Sequence, residues 1–158
     1  SFTDDGKFWR FLIHDVGEVQ RYIVRDADSR FSFREVDAVT EWIEAGTQLH
    51  IMRDHPSHSA AILGGMWGWL KQKDNFVMRS KIEQWILKNK VGRNQPFLKE
   101  EVLPLSRSMT VHDSCGGFDG TRNWNSNGPG FVGEYISQTG EFTEPDRRAR
   151  SEHLAKPS

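Results

Sequence analysis

Three short hydrophobic runs in this chain each stop at a charged turn, and that arrangement limits the fold more than any other feature. Arg21-Tyr22-Ile23-Val24 gives way to Arg25-Asp26-Ala27-Asp28-Ser29-Arg30. Leu49 to Met52 runs into Arg53-Asp54-His55-Pro56, and Met109 to His112 ends at Asp113-Ser114-Cys115-Gly116-Gly117. Apolar runs bounded by polar turn formers read as buried strands. Helical patterns stand between them. Residues 7–14 have apolar groups at 8, 9, 11, 12 and 13, the pattern of a short helix. Ser32 and Glu35 form a capping box ahead of Val36, Val39, Trp42 and Ile43, which predict the inward face of a helix ended by Gly46. Residues 75–89, with Phe76, Ile82, Trp85 and Ile86 inward, predict another helix; so does the stretch from about 95 to 103, starting near Asn94 and stopping before Pro104. Ala60 to Leu63 leads into Gly64-Gly65-Met66-Trp67-Gly68 as a strand or turn, and residues 119–130 read as a loop rich in glycine and asparagine. Phe131 to Ile136 predicts a last strand. The pattern is that of a mixed α/β layer fold, with one domain over 1–142 and a polar, frayed tail over 143–158.

Bulk charge narrows the function classes. The 158 residues carry a formal net charge of −1, which lacks the basic excess that nucleic-acid binding needs. No stretch reaches the roughly 20 apolar residues of a membrane span, and no signal-peptide pattern opens the chain. The single cysteine, Cys115, cannot form an internal disulfide and fits a reducing compartment. These features predict a soluble, cytoplasmic protein. Six tryptophans and ten phenylalanines serve either as core or as surfaces on which sugars and bases stack.

In open α/β sheets the ligand crevice lies outside the carboxyl ends of the strands, so the three polar strand ends are the candidate site. Asp26 and Asp28, one residue apart on a turn, can both face a hard cation, with water and phosphate oxygens completing its shell as for Mg2+ and Mn2+. The alternative is a solvated turn in which Asp28 caps the next helix and Arg30 pairs with a carboxylate. His112 is either a third metal ligand or a half-buried histidine bonded to backbone. Asp54 is either a cap or a base near the reacting centre. Trp67 and Trp69 are either core or a sugar-stacking platform beside Gly64-Gly65, which permit close backbone approach. His55, His58, His50 and Cys115 raise zinc, but no cysteine pair or helical His-Glu-x-x-His accompanies them.

Taken together, Tyr22 to Arg30, His50-Ile51-Met52-Arg53-Asp54-His55-Pro56 and Ile62-Leu63-Gly64-Gly65-Met66-Trp67-Gly68 resemble a group of bacterial, algal and viral glycosyltransferases with the GT-A fold. Phe8-Trp9-Arg10-Phe11, Val111-His112-Asp113-Ser114 and Phe131-Val132-Gly133-Glu134 extend the resemblance to about residue 136. It implies a metal-dependent transferase using a UDP- or GDP-linked sugar donor and a glycan or other hydroxyl acceptor, with Mn2+ or Mg2+ as cofactor. It implies that Asp26 and Asp28 bind metal and diphosphate, Asp26 nearer the ribose, with His112 as the late metal ligand. Arg25 and Arg30 would orient the loop or neutralise phosphate. His55, Gly64, Gly65 and Trp67 would line the sugar and acceptor pocket, and Asp54 would be the base. In such proteins the Asp-x-Asp follows a first half of the sheet that holds base and ribose. The resemblance therefore implies that this half lies upstream of Ser1, and that the sheet described by these residues exposes an apolar edge.

Two other readings fit parts of the pattern. A phosphatase of the haloacid-dehalogenase type would use Asp26 as nucleophile and Asp28 as acid/base; it needs a downstream lysine, for which only Lys71 and Lys73 stand out, and a late acidic pair. A carbohydrate-binding fragment would instead rely on the aromatics. A His112 opposite Asp28 would favour the transferase over the phosphatase.

Overall fold

Phe8, Phe11 and His14 recur every third residue, and Gly6–Asp15 is wound as a 3-10 helix that puts all three in one buried row. Three residues per turn eclipse positions i, i+3 and i+6, so Trp9, one of the apolar positions of the expected helix, is left 55% exposed. The computed structural model describes residues 6–73, 75–89, 93–114, 122–124 and 130–155. The predicted turn at Cys115-Gly116-Gly117 and most of the 119–130 loop lie outside those residues.

Strands β1 (Arg21–Arg25), β2 (Leu49–Arg53), β3 (Met66–Leu70), β4 (Met109–Asp113) and the two-residue β5 (Arg122–Asn123) form one mixed sheet in the order β1-β3-β2-β4-β5. β3 is antiparallel to both β1 and β2, while β2, β4 and β5 are parallel. The chain is thus α/β with parallel and antiparallel pairs. β1 is an edge strand, but Arg21 and Arg25 stand at its ends and alternate residues are only half-buried; charges of this kind discourage a second strand from pairing.

The two faces of the sheet differ chemically because strand side chains alternate. Tyr22, Val24, Leu49, Ile51, Trp67, Trp69 and Val111 face one way and form the main apolar core with the 3-10 helix and α2 (Met78–Asn89). α2 has no cap of its own. Its first backbone N–H groups, of Met78 and Arg79, donate to the carboxylate of Asp15 at 2.7 and 2.9 Å, which satisfies donors that a helix start leaves open. A short α3 (Asn94–Phe97) continues as a π turn (Leu98–Val102) and a 3-10 turn (Leu103–Leu105) that contains Pro104, closing this layer through Phe97, Leu98 and Val102.

The other face, under α1 (Phe33–Ala45), is mixed: a small apolar cluster of Ala38, Met52, Met66 and Val132 lies beside buried polar groups. Ser32 caps α1 by accepting the Glu35 N–H at 3.2 Å, and Gly46, at φ 63°, donates its N–H to the carbonyls of Trp42 and Ile43. Both ends follow the sequence. The rotation of the helix does not. The buried face is Glu35, Ala38 and Trp42, whereas Val36 and Ile43, expected inward, are exposed. Glu35 does not complete the capping box; it is buried and paired with Arg25 Nε at 2.6 Å. Burial raises its pKa against the opposing pull of Arg25. Trp42 occupies the gap above Gly68, stacked on His50 with ring centroids 5.1 Å apart. An ion pair and one indole thus set the helix phase.

The last expectations are corrected by the C-terminal segment. Residues 131–136 form a turn with two isolated bridges, Ser29↔Tyr135 and Ile136↔Phe142, not a strand. The expected frayed tail is a helix, α4 (Glu144–Leu154), whose Arg150 is buried. Among the described residues no helix is long and apolar enough to cross a membrane.

A methyl group at Gly68 would lie 2.9 Å from both the Tyr22 carbonyl oxygen and the Trp42 ring. Gly68→Ala is therefore expected to destabilise the chain by about 1–3 kcal/mol, the usual range for overpacking, read as a lower urea midpoint. An unchanged midpoint would show that neither the Trp42 ring nor the Tyr22 carbonyl restricts this position.

Candidate functional site

Strand polarity decides which residues meet. β1, β2 and β4 point the same way and β3 the opposite way, so the carboxyl ends of the first three share one sheet edge with the start of β3. That edge gathers the Asp26–Asp28 turn, Asp54 and His55, Gly64-Gly65, and Asp113. The expected convergence of the three strand ends is present.

The turn after β1 is anchored by Arg25, which donates to the Gly65 carbonyl at 2.8 Å and to Ser29 Oγ at 3.1 Å besides holding Glu35. Arg25 is therefore tied into the scaffold. Asp26 is exposed and ion-paired with Arg10, and its carboxylate rests against Gly65, where a Cβ would come within 2.2 Å of it. Gly65 is thus needed for close approach, as expected, but of a side chain of this chain. Gly64 likewise lies against Asn94, 2.7 Å from a Cβ to its Nδ2. Asp28 is exposed, and among the described residues its carboxylate meets no cation; its carbonyl accepts from Ile136 N–H at 2.9 Å.

Asp54 is 0% exposed and saturated. Arg34 Nε and Nη2 donate to its two oxygens at 2.6 and 2.8 Å, Arg150 Nη2 adds a 3.1 Å bond, and Val132 N–H adds one of 2.9 Å. A carboxylate has about four acceptor sites, so none is left to take a proton from an acceptor hydroxyl. The expectation that Asp54 is the base is corrected: it is the tie point of the sheet edge. Arg150 Nε also donates to the Asp54 carbonyl at 3.0 Å, and the Asp54 N–H donates to His58 Nδ1 at 3.1 Å.

The histidines are structural as well. His55 accepts from the Ser57 N–H at Nδ1, so its Nε2–H donates to the Asp146 carbonyl at 2.9 Å, and the ring lies on Phe131. His112 is buried on the α1 face, 3.0 Å from His50 and 3.2 Å from Glu41 Oε2. A carboxylate only accepts, so the proton order runs from His50 Nε2 to His112 Nδ1 and from His112 Nε2 to Glu41. His112 is thus held away from the turn. Among the described residues no three His, Cys, Asp or Glu side chains are gathered to hold a metal ion, and His112, engaged by His50 and Glu41, does not join Asp26 and Asp28. Trp67 and Trp69 are fully buried in the core and offer no sugar platform. Lys71 follows the carboxyl end of β3, at the edge opposite Asp26, where its Nζ donates to the Val16 carbonyl.

Beside the Asp26–Asp28 turn is a cleft of about 270 Å3 that the sequence did not disclose. Arg30, Arg34, Arg147, Glu134, Phe31 and Phe142 line it. Arg147 is held by both oxygens of Glu134 and lies over the Phe142 ring at 3.8 Å. The cleft exists because residues 130–142 are bridged to Ser29 and Asp28 while α4 is held on Asp54.

Burial and the neighbouring His112 push the pKa of His50 down from 6.5 to about 3, and burial with His55 pushes that of His58 down to about 4. Both rings are neutral in the fold, while the unfolded chain takes up protons below about 6.5. Stability is therefore full above that value and falls as pH drops toward 4 and 3, by up to about 1.4 kcal/mol per pH unit for the His50 proton. His50→Gln is expected to flatten the dependence of the urea midpoint between about pH 6.5 and pH 5; an unaltered slope refutes the assignment. Asp54→Asn, which leaves Arg34 and Arg150 without their carboxylate, is expected to cost about 3–5 kcal/mol and to expose α4 to proteolysis before the rest. A normal melting temperature in that variant would contradict the tie.

Comparison with known protein families, curated proteins and solved structures finds no match to this chain.

Proposed function

We propose that the chain belongs to a GT-A-type, metal-dependent glycosyltransferase that moves a sugar from a UDP- or GDP-linked donor to a hydroxyl acceptor. One observation carries the reading. Two exposed carboxylates, Asp26 and Asp28, share a braced turn at the carboxyl edge of an α/β sheet, beside an arginine-lined cleft. Crevices at that edge are where open α/β sheets bind ligands.

The donor set suits a hard divalent ion. Mg2+ and Mn2+ are commonly held by one or two carboxylates together with substrate phosphates, and the turn supplies two. Asp28 would be the principal ligand and Asp26, which already attracts the Arg10 guanidinium, the second. His112 has no part in the set. When bound, the ion stabilises the charge of the departing nucleoside diphosphate as a Lewis acid.

The other residues serve position and charge. Arg25 holds the turn against Glu35 and Gly65 so that both carboxylates project from a fixed backbone. Arg30, next along the turn and exposed, would neutralise phosphate. Asp54 and His55 keep the edge in place from beneath. The resemblance of the Arg25 to Arg30 and Met52 to Pro56 segments to the transferases supports this reading independently of the geometry. His112, expected opposite Asp28 in a transferase, is paired with His50 and Glu41 instead and so does not separate the two enzymes. The position of Lys71 at the far edge is what tells against a haloacid-dehalogenase-type phosphatase.

The test is a transfer and hydrolysis screen with UDP- and GDP-sugars, with and without Mn2+. Activity is expected to vanish with chelator and to fall in Asp28→Asn by more than about tenfold to a hundredfold, the scale of losses from outer-shell partners alone. His112→Gln is expected to leave Mn2+ titration unchanged. Metal binding that depends on His112 but not on Asp28 would overturn the assignment.

A further inference from the structure

The cleft beside the turn has a charge pattern that the metal motif does not need. Three guanidiniums line it against one carboxylate, that of Glu134. Glu134 is taken up by Arg147. Asp54, behind the wall, is shared between Arg34 and Arg150, so it offsets only part of that pair. Among the described residues Arg30 has neither an ion-pair nor a hydrogen-bond partner. The cleft is therefore cationic, with its least committed cation at the mouth.

Its remaining walls are aromatic and accessible: Phe31 is 68% exposed and Phe142 43% exposed. Each already meets a guanidinium, Arg25 over Phe31 at 5.8 Å and Arg147 over Phe142 at 3.8 Å. Ring faces next to planar cations suit a ligand with an apolar face and an anionic group, because the ring accepts C–H contact while arginine forms paired bonds to carboxylate or phosphate. A sugar bearing phosphate or carboxylate has that combination. A neutral sugar would leave the cationic lining unanswered.

We infer that the Arg30–Arg34–Arg147 cleft is an anion subsite for a phosphate or carboxylate carried on a sugar, and that it works without metal. The group comes either from the phosphates of a donor or from an acidic acceptor such as a uronate-bearing glycan. Its place in a transfer reaction rests on the reading above; its affinity for anions does not. Because Ile136 N–H is bonded to the Asp28 carbonyl and Tyr135 is bridged to Ser29, a ligand in the cleft also steadies the Asp26–Asp28 turn.

Calorimetric titration in the presence of chelator tests this, with inorganic pyrophosphate, glucuronate and glucose as probes. Pyrophosphate or glucuronate is expected to bind and glucose not, with affinity falling as salt is added. Arg30→Ala, at an exposed position that should leave the melting temperature unchanged, is expected to weaken anion binding about tenfold, the scale of one charge-assisted hydrogen bond. Lys88→Ala, an exposed cation on α2 outside the cleft, and Asp28→Asn are expected to leave it intact. Tighter pyrophosphate than glucuronate identifies the donor phosphates as the source, and the reverse order an acidic acceptor. Absence of anion binding without metal, or equal binding in Arg30→Ala and the parent chain, overturns the subsite. Either result leaves the sugar-transfer screen to be judged separately. Conversely, anion binding that requires Arg30 stands even if no sugar is transferred.

Discussion

The carboxylate of Asp54 is the interaction on which the rest of this structure depends. A fully buried carboxylate is costly to desolvate unless every acceptor site is met by a donor. Here the donors come from three separate segments: Arg34 at the start of α1, Val132 in the turn that precedes α4, and Arg150 in α4. The requirement to satisfy one charge thus assembles the carboxyl edge of the sheet. Remove the charge, and α4 loses its buried anchor while the segment 130–142 loses the bond that sets its depth.

A second organising contrast is between the two faces of the sheet. One face is a conventional aromatic core, in which Phe8, Phe11, Trp67 and Phe97 pack edge-to-face or stacked. The other carries the Arg25–Glu35 pair, the His50–His112–Glu41 chain and the indole of Trp42 above Gly68. These contacts hold α1 in one rotation, although among the described residues His50 Nδ1 and Glu35 Oε2 are buried without a hydrogen-bond partner, a cost that such networks carry when they are only partly satisfied. The polar face costs the protein acid tolerance, because His50 must stay neutral. In return, the helix that carries Arg34 and follows the Asp26–Asp28 turn cannot roll.

These constraints separate the groups that hold the site from the groups that face solvent. Arg25, Asp54, His55 and His112 are committed to the scaffold, whereas Asp28 and Arg30 project from it and Asp26, though exposed, is held by Arg10. A turn that bears exposed charges needs a rigid support if those charges are to bind anything selectively. The proposed transferase would rely on this division of labour, with the acidic pair for a metal and the arginine cleft for an anionic group, both beside one braced turn.

What the sequence alone determined here is what neighbouring residues settle among themselves. The strand after Gln20, the Ser32 cap, the Gly46 stop and the meeting of strand ends at one edge were legible, because period-two alternation, capping and turn chemistry act over a few positions. The phase of α1 was not, since Val36 and Ile43 look as apolar as Trp42 until Arg25 claims Glu35 from another element. Asp54 read as a base because a carboxylate after a strand looks free; its arginines lie 20 and 96 positions away. The tail read as frayed because it is polar, yet the residue that docks it is one of its charges, Arg150. The cleft was invisible for the same reason, as Arg30, Arg34, Glu134 and Arg147 are joined only by the folded chain. Local pattern therefore specified the elements and their exposed acidic turn, while tertiary structure alone decided which charges are spent on holding the fold and which remain to meet a ligand.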